Sequence, residues 1–415
     1  MRSKFIGYQC SLCAKDYSSD EVTYTCPVDG GNLNVILDYA GINREFNPGD
    51  IFKSSEGSLW RYLPILPVSD PGGIGTPLHR AGWTPVYNTN QLAVELGLGS
   101  LWVKDESRNP TASFKDRASA IVIARGREID AEVIVTASTG NAGAALAGMA
   151  AALGQKAVIF APRNAPPAKV AQLLIYGAKV YLVDGTYDEA FDLTIQAANE
   201  FGWYCRNTGY NPFTAEGKKT GAFEIWEWML HLEPVLRKTL VIFVPVGDGN
   251  IISGLHKGFL DLARLGWLDQ MPRIFGVQAE GSAAIANAYL SGTEVVTPVT
   301  AHTVADSISV DLPRDGVRAV RAARDTNGGY LLVSDKEIIT AIGELGKVGI
   351  FAEPAGATSY AGLVKAIKTG MIQADEAVLV INTGSGLKDV RAAMQAVTEP
   401  TIIEPTLAAL RKVIL

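Results

Sequence analysis

A single lysine, Lys115, stands in the segment NPTASFKDRASA (residues 109–120), where an extended stretch gives way to a helical pattern. A lysine can act as a nucleophile or a base when desolvation or neighbouring cations lower the pKa of its amine. Such an amine forms Schiff bases with aldehydes. The alternative is an ordinary lysine in the first turn of a helix that Thr111 or Ser113 caps. The surrounding residues decide between these readings.

Three polar, glycine-rich turns each follow an apolar segment and precede a helical or polar one. Open α/β sheets bind ligands at the carboxyl ends of their strands, so turns of this kind are expected to converge on one site. The turns contain Ser138, Thr139, Gly140 and Asn141; Gly247, Asp248, Gly249 and Asn250; and Asn382, Thr383 and Gly384.

The turn GDGN (247–250) suits a phosphate, because backbone N–H groups at a helix start favour an anion. It lacks the lysine and hydroxyl of a nucleotide P-loop and the G-x-G-x-x-G spacing of dinucleotide sites. A lone phosphate on a small cofactor is therefore favoured over ATP or NAD. Asp248 must then point away from the phosphate or accept a backbone hydrogen bond. Together with Lys115, the turn indicates pyridoxal 5′-phosphate, an electron sink for a carbanion at a substrate α-carbon.

Three of the four cysteines lie near the N-terminus: Cys10 and Cys13 as C-x-x-C, then Cys26. A zinc ribbon would place a fourth cysteine at position 29, which is Asp29. Zinc bound by Cys10, Cys13 and Cys26 and a metal-free relic of a ribbon both remain open. So few cysteines make no disulfide framework, which places the chain in the reducing cytoplasm.

The composition excludes several classes of protein. Hydrophobic residues make up 47% and charged residues 19%, as in a globular enzyme. The net charge of −6 argues against a nucleic-acid partner. The longest apolar runs are strand-length and no secretory signal is visible, so we expect neither membrane insertion nor secretion.

Apolar segments rich in Val, Ile and Leu alternate with helical ones, which predicts an α/β fold with two doubly wound open sheets and a small N-terminal ribbon-like segment. The predicted domains are the ribbon (1–38), a large cofactor-binding α/β domain (39–110 and 206–400), a small α/β domain (111–205) and a C-terminal helix (401–415). The predicted strands are 101–106, 132–138, 156–162, 179–185, 240–247, 273–280 and 377–384.

The segment NPTASFKDRA resembles the lysine motif N-P-T-G-S-F-K-D-R of threonine synthases, which belong to the fold-type II pyridoxal-phosphate family shared with serine/threonine dehydratases and tryptophan synthase β. Asp116 after the lysine favours the synthase branch. Further similar segments extend the resemblance over roughly residues 75 to 395; they include GWTPVYNTNQLAVELG, ASTGNAGAALA, YGAKVYLVDGTYDEA, VADSISVDLPR, FAEPAGATSYAGL and TGSGLKD.

The resemblance implies a role for each motif. Lys115 would carry pyridoxal 5′-phosphate as a Schiff base and act as base and acid at the α-carbon. Phe114 would pack against the cofactor ring, and Asn141 would bond to its 3′-oxygen. Two further contacts complete the cofactor site: the 247–250 loop would bind the phosphate, and the Thr383 hydroxyl would face the ring nitrogen. The backbone of Ser138, Thr139 and Gly140 would take the substrate carboxylate.

The resemblance also implies an activity, the conversion of O-phospho-L-homoserine and water to L-threonine and phosphate, and a homodimer. In the stretch NTGYNPFTAEGKKTG, Thr208 and Thr214 are assigned to the substrate site. Thr214, however, stands where the family has its phosphate-binding arginine, and Gly209 where it has a serine. Lys218, Lys219 or Arg206 could supply the missing charge. A serine/threonine ammonia-lyase and a β-replacement synthase therefore remain as alternatives.

Overall fold

The computed structural model describes residues 4–138, 140–163, 165 and 167–414. Its strands form three sheets. They are β1 (Phe5–Cys10), β2 (Asp16–Ser18), β3 (Leu33–Leu37), β4 (Val86–Asn88), β5 (Ser100–Asp105), β6 (Val133–Ala137), β7 (Lys156–Pro162), β8 (Lys179–Val183), β9 (Tyr204–Cys205), β10 (Val241–Pro245), β11 (Arg273–Ala279), β12 (Gly329–Val333) and β13 (Ala377–Asn382).

The largest sheet has six strands in the order β12-β11-β10-β13-β5-β4 and is parallel except for β4, which runs antiparallel to β5. Neighbouring residues of one strand enter different apolar cores: Ile242 and Leu379 join one, whereas Val241 and Val378 join the other. Both faces of the sheet are therefore covered, which is why its strands read as continuous apolar runs.

A second sheet of four parallel strands has the order β8-β7-β6-β9. The N-terminal sheet is antiparallel, in the order β2-β1-β3. The predicted α/β class, with two open sheets and a small N-terminal ribbon, is confirmed. The domain boundaries stay predictions.

The α-helices separate the strands. They are α1 (Tyr39–Glu45), α2 (Pro48–Phe52), α3 (Asn90–Leu96), α4 (Lys115–Glu128), α5 (Asn141–Ala151), α6 (Pro167–Ile175), α7 (Tyr187–Phe201), α8 (Phe213–Lys218), α9 (Thr220–Met229), α10 (Pro234–Lys238), α11 (Asn250–Arg264), α12 (Ala284–Leu290), α13 (Gly316–Asp325), α14 (Asp335–Lys347), α15 (Pro354–Lys368), α16 (Val390–Ala393) and α17 (Leu407–Ile414). In the part of the chain that is described, no helix is long and apolar enough to cross a membrane.

Apart from the three ribbon strands, three strands lie outside the predicted set: β4, β9 and β12. The first two are too short to show a period, with three and two residues. Strand β12 follows Gly328, where a Cβ would lie 1.8 Å from the Ile274 carbonyl oxygen. The glycine therefore lets this edge strand approach β11. A local sequence pattern does not reveal such a contact between distant segments.

Candidate active site

Lys115 is the first residue of α4, and the chain just before it is fixed to the turn after β13. The Phe114 N–H donates to the Thr383 carbonyl at 2.9 Å, and the Ser385 N–H donates to the Ala112 carbonyl at 3.1 Å. Ala112 has φ +63°, a left-handed conformation that disfavours a side chain. These bonds set the lysine beside the carboxyl end of β13.

A buried ionic network anchors the helix behind the lysine. The Arg117 guanidinium is wholly buried and donates to both Glu106 and Glu224, with Nε 2.8 Å from Glu106. Lys104 reaches Glu224 at 2.7 Å. Because removing one partner would leave an uncompensated buried charge, this network holds α4 and α9 in one arrangement. The Phe114 ring is buried above Gly221, with Arg117 5.3 Å from its centroid; its contact with the cofactor ring stays a prediction.

Most of the predicted site residues line one cleft of about 510 Å³ between the two large sheets. They are Lys115, Asn141, Thr208, Gly247, Asp248, Gly249, Asn250 and Thr383. The structure adds Lys218, Ser307 and Glu353 to this lining. Ser307 falls within the segment VADSISVDLPR, so its motif was visible in the sequence although its side chain was not singled out.

The 247–250 loop forms the floor of the cleft at the start of α11, a helix of 15 residues. Gly249 has φ +89°, and a Cβ there would lie 2.7 Å from the Asp315 carbonyl oxygen. Only glycine permits that turn, which leaves backbone N–H groups at a helix start. The Asp248 carboxylate accepts from the Arg314 N–H at 3.4 Å, in agreement with the expectation that it bonds to backbone.

Asn141 begins α5, and its amide donates to the Glu353 carboxylate at 2.7 Å. Glu353 occupies the N-cap position of α15 but makes no capping bond; it crosses the cleft to Asn141 instead. Burial raises the pKa of Glu353, while the charge of Lys115 opposes that rise. The Asn141 amide also approaches the Ser307 hydroxyl at 3.4 Å.

Three basic side chains, Lys115, Lys218 and Arg206, lie in the cleft or next to it. Burial lowers the pKa of Lys115. The charge of Arg206 lowers it further, whereas the charges of Glu353 and Asp248 raise it. Burial also lowers the pKa of Lys218 well below its usual value, and both Lys115 and Arg206 add to this. The Lys218 amine donates to the Asn250 side chain at 2.6 Å, so it supports the 247–250 loop. A low pKa gives a lysine the neutral amine that covalent and base chemistry requires.

These residues fit pyridoxal 5′-phosphate. A lysine amine of lowered pKa, a glycine-bounded anion loop at a helix start and the polar groups of Asn141 and Thr383 line the same cleft. A Cβ on Gly249 would also lie 2.7 Å from the Ala319 Cβ, so the loop packs closely against the 315–319 segment.

The predicted carboxylate site is the turn after β6. The Gly140 N–H bonds to the Ser138 hydroxyl at 3.1 Å, and Gly140 is the N-cap of α5. Thr139 lies outside the described residues. Asn141, the residue directly after this turn, lines the cleft.

Thr208 and Thr214, both assigned to the substrate, occupy different places. Thr208 lines the cleft. Thr214 is fully buried, lies outside the cleft lining, and donates its hydroxyl to the Asn211 carbonyl at 2.7 Å. Gly209 has φ +77°, and a Cβ there would lie 2.7 Å from the Arg314 Cβ, so the serine of the family pattern does not fit.

Arg206 is fully buried directly before this segment. Its Nη1 donates to the Thr208 hydroxyl at 2.7 Å and its Nε to Ser119 at 3.3 Å, while Nη2 is buried without a hydrogen-bond partner. Burial lowers its pKa to about 10. Arg206 therefore contacts the cleft residue Thr208 but does not itself line the cleft, and it keeps one unused donor. The predicted metal residues Cys10, Cys13 and Cys26 lie in the ribbon, apart from the cleft.

The sequence matches the family described as pyridoxal-phosphate dependent enzyme over residues 78–384. A threonine synthase of Methanocaldococcus jannaschii is 39% identical over 409 residues, 98% of each chain, and one of Methanosarcina acetivorans is 37% identical over 410 residues, also 98% of each. A threonine synthase of a Bacillus species is 36% identical over 337 residues, 80% of this chain and 90% of its own.

Solved structures agree on the fold. Threonine deaminase isoform 2 from Solanum lycopersicum superposes with a TM-score of 0.65 at 23% identity and covers 82% of this chain and 94% of its own. Maize serine racemase gives 0.63 at 24% identity, covering 75% and 91%. At such identities the likeness concerns the fold alone.

Proposed function

We propose that this chain, which belongs to the threonine synthase family of pyridoxal-phosphate-dependent lyases, converts O-phospho-L-homoserine and water to L-threonine and phosphate. The observation that carries the substrate is the bond from the buried Arg206 to Thr208, which lines the cleft together with Lys115 and the anion loop, while Arg206 Nη2 has no hydrogen-bond partner among the described residues. With threonine synthases as the relatives of 36–39% identity, the ammonia-lyase and β-replacement alternatives are not favoured.

The cofactor, when bound, supplies an electron sink for charge that develops at the substrate α-carbon. Lys115 is the residue that would hold it covalently and then move protons. Burial lowers the pKa of its amine, which favours the neutral form that would accept a proton from carbon and return it. Lys218 and Asn250 would keep the 247–250 loop on the cofactor phosphate.

The substrate's two anionic ends would occupy opposite sides of the cleft. The turn after β6 would take the carboxylate through the backbone of Ser138 and Gly140, because N–H groups at a helix start favour an anion. Arg206 and the Thr208 hydroxyl would take the γ-phosphate. The pair thus replaces the arginine that the family places at position 214.

Product analysis tests the reaction. The cofactor-loaded enzyme is given O-phospho-L-homoserine, and phosphate, threonine and keto acid are measured together. We expect phosphate and threonine in equal amounts. Keto acid from serine or threonine, without phosphate release, would assign the chain to the ammonia-lyases instead.

Covalent attachment is tested separately from turnover. Borohydride treatment followed by peptide mass spectrometry should place a pyridoxyl group on Lys115, and Lys115→Ala should lose the label. A Lys218→Met control should retain it. A label on another lysine in the unsubstituted chain would refute the assignment.

The remaining expectations concern assembly and location. We propose a homodimer that works in the cytoplasm, on the basis of the family resemblance and the cysteine content. Light scattering of the purified holoenzyme gives the mass directly, and a monomer that turns over at full rate would contradict the dimer.

A further inference from the structure

The N-terminal ribbon brings four potential ligand atoms together at one point. The sulfurs of Cys10, Cys13 and Cys26 and a carboxylate oxygen of Asp29 all lie within 4.8 Å of one another. The Cys13 and Cys26 sulfurs are 3.8 Å apart, and the Cys10 sulfur is 3.3 Å from Asp29 Oδ1. None of these cysteines is in a disulfide.

We propose that these four residues bind one Zn²⁺ ion tetrahedrally, with Asp29 as the fourth ligand. Zinc–sulfur bonds of about 2.3 Å and zinc–oxygen bonds of about 2.0 Å give tetrahedron edges of about 3.8 Å between two sulfurs and about 3.5 Å between sulfur and oxygen. The two measured separations are close to these values. The aspartate at the position of the missing cysteine therefore completes the site.

The groups around the ligands are arranged as in a structural metal site. The Leu12 N–H donates to the Cys10 sulfur at 3.3 Å, and the Tyr17 hydroxyl lies 3.0 Å from the Cys26 sulfur. The Gly31 N–H holds Asp29 Oδ1 at 2.8 Å. A Cβ on Gly31 would lie 2.7 Å from the Cys10 sulfur, so the turn must be glycine for the ligands to meet. Such outer contacts orient ligands and tune their affinity.

Four protein ligands leave no open position for chemistry, so the ion is structural. A three-stranded ribbon contributes few core residues, which pack against the body of the protein, so a metal ion would help to fix its turns. Zinc is preferred over magnesium or calcium because three of the four ligands are thiolates, which select soft metals.

The ribbon contacts the segments that frame the active site. The Asn32 side chain donates to the carbonyls of Gly209 and Arg314. Gly209 follows Thr208, and the Arg314 N–H bonds to Asp248 in the phosphate loop. The Tyr24 hydroxyl accepts from the Cys205 N–H at 2.8 Å, next to Arg206. A zinc ion that fixes the ribbon would therefore also stabilise the backbone of Cys205, Gly209 and Arg314, which adjoins the residues that we assign to the substrate and to the cofactor phosphate.

The direct test is metal analysis of the full chain purified without chelators. We expect one zinc per chain by mass spectrometry of metals. Replacement with cobalt(II) should give the visible absorption of a tetrahedral thiolate site. Neither readout depends on activity, so the result is separable from the proposed reaction.

Matched variants identify the ligands. Cys13→Ser and Asp29→Asn should each weaken zinc binding at least about 100-fold in a competition with a chromophoric chelator, since even outer contacts are worth about 10- to 100-fold. Asp20→Asn, an exposed carboxylate in the same ribbon, should bind zinc normally. Equal zinc content in all three variants, or no zinc or cobalt bound by the unsubstituted chain, would overturn the proposal.

Discussion

Replacing Arg206 by methionine should separate substrate binding from stability. Methionine replaces the aliphatic part of the arginine side chain with an unbranched apolar one and removes the guanidinium. Within the described part of the chain Arg206 forms no ion pair; its bonds go to the Ser119 and Thr208 hydroxyls. Burying an uncompensated charge is unfavourable, and its pKa of about 10 reflects that cost.

The magnitude follows from the bonds that the substrate phosphate would make. Nη2 is unused and Nη1 is shared with Thr208, so the phosphate gains at least one charge-assisted hydrogen bond. Such a bond contributes about 1.5–3 kcal/mol, which corresponds to a loss of about 10- to 150-fold in kcat/KM. The free energy of unfolding, in contrast, should fall by no more than about 1 kcal/mol, because the buried charge is removed with its bonds.

Steady-state phosphate release gives kcat/KM, and calorimetric titration gives the affinities for O-phospho-L-homoserine and for L-homoserine. Only the phosphorylated ligand should bind more weakly to Arg206→Met. Arg61→Met is the matched control, because Arg61 is also buried but pairs with Glu227 at 2.6 Å. That variant should lose about 3–5 kcal/mol of stability and keep the kcat/KM of its folded fraction. Equal weakening for both ligands in Arg206→Met would refute the phosphate role.

Three further predictions concern neighbouring residues. Ala112→Gly should raise the free energy of unfolding by about 0.5–1 kcal/mol in denaturant titration, because it relieves the left-handed φ of +63°; Ala118→Gly inside α4 should lower it by a similar amount, and a stability loss in both would contradict the reasoning. Thr214→Val should lower stability by about 1 kcal/mol through loss of the bond to Asn211 and leave kcat/KM within about twofold, whereas a large fall in kcat/KM would restore Thr214 to the substrate site. Lys218→Met should remove a pH dependence from the stability of the apoenzyme. Because the pKa of Lys218 is lowered on folding, the folded protein binds fewer protons than the unfolded chain. The free energy of unfolding of the unsubstituted apoenzyme therefore rises with pH between the folded pKa and about 10.4. The difference in unfolding free energy between Lys218→Met and the unsubstituted apoenzyme should therefore shrink as pH rises through that window, and a difference independent of pH would show that Lys218 is buried in its charged form.

The lysine and the anion loop could be predicted from the sequence because their signals are local. Lys115 at a helix start and Gly249 at φ +89° are determined by a few adjacent residues, and the turns after β6, β10 and β13 meet because parallel strands share an edge. The cysteine spacing likewise predicted the position of Asp29 in a ribbon without a fourth cysteine.

The rest depended on contacts between distant segments. From FAEPAG alone, Glu353 could be a pocket acid or a helix cap, and only the structure shows its bond to Asn141, 212 residues away. Thr214 aligned with a phosphate-binding residue, but packing around α8 buries it against its own backbone. Arg206 was one of three residues that could supply the missing charge, and only the structure shows its bond to Thr208 and its unused donor.

The charged side chains in and beside the cleft bear on how it would bind the cofactor phosphate and a substrate phosphate together. Lys115, Lys218 and Arg206 all have pKa values lowered by burial, and the charges of the others contribute to Lys115 and Lys218. The cleft acids Asp248 and Glu353 have pKa values raised by burial. A dianion at the 247–250 loop would restore charge to Lys218 and so reduce one unfavourable interaction. A second dianion would do the same for Arg206. A cleft that binds two such anions would distinguish a phosphorylated substrate from free serine or threonine.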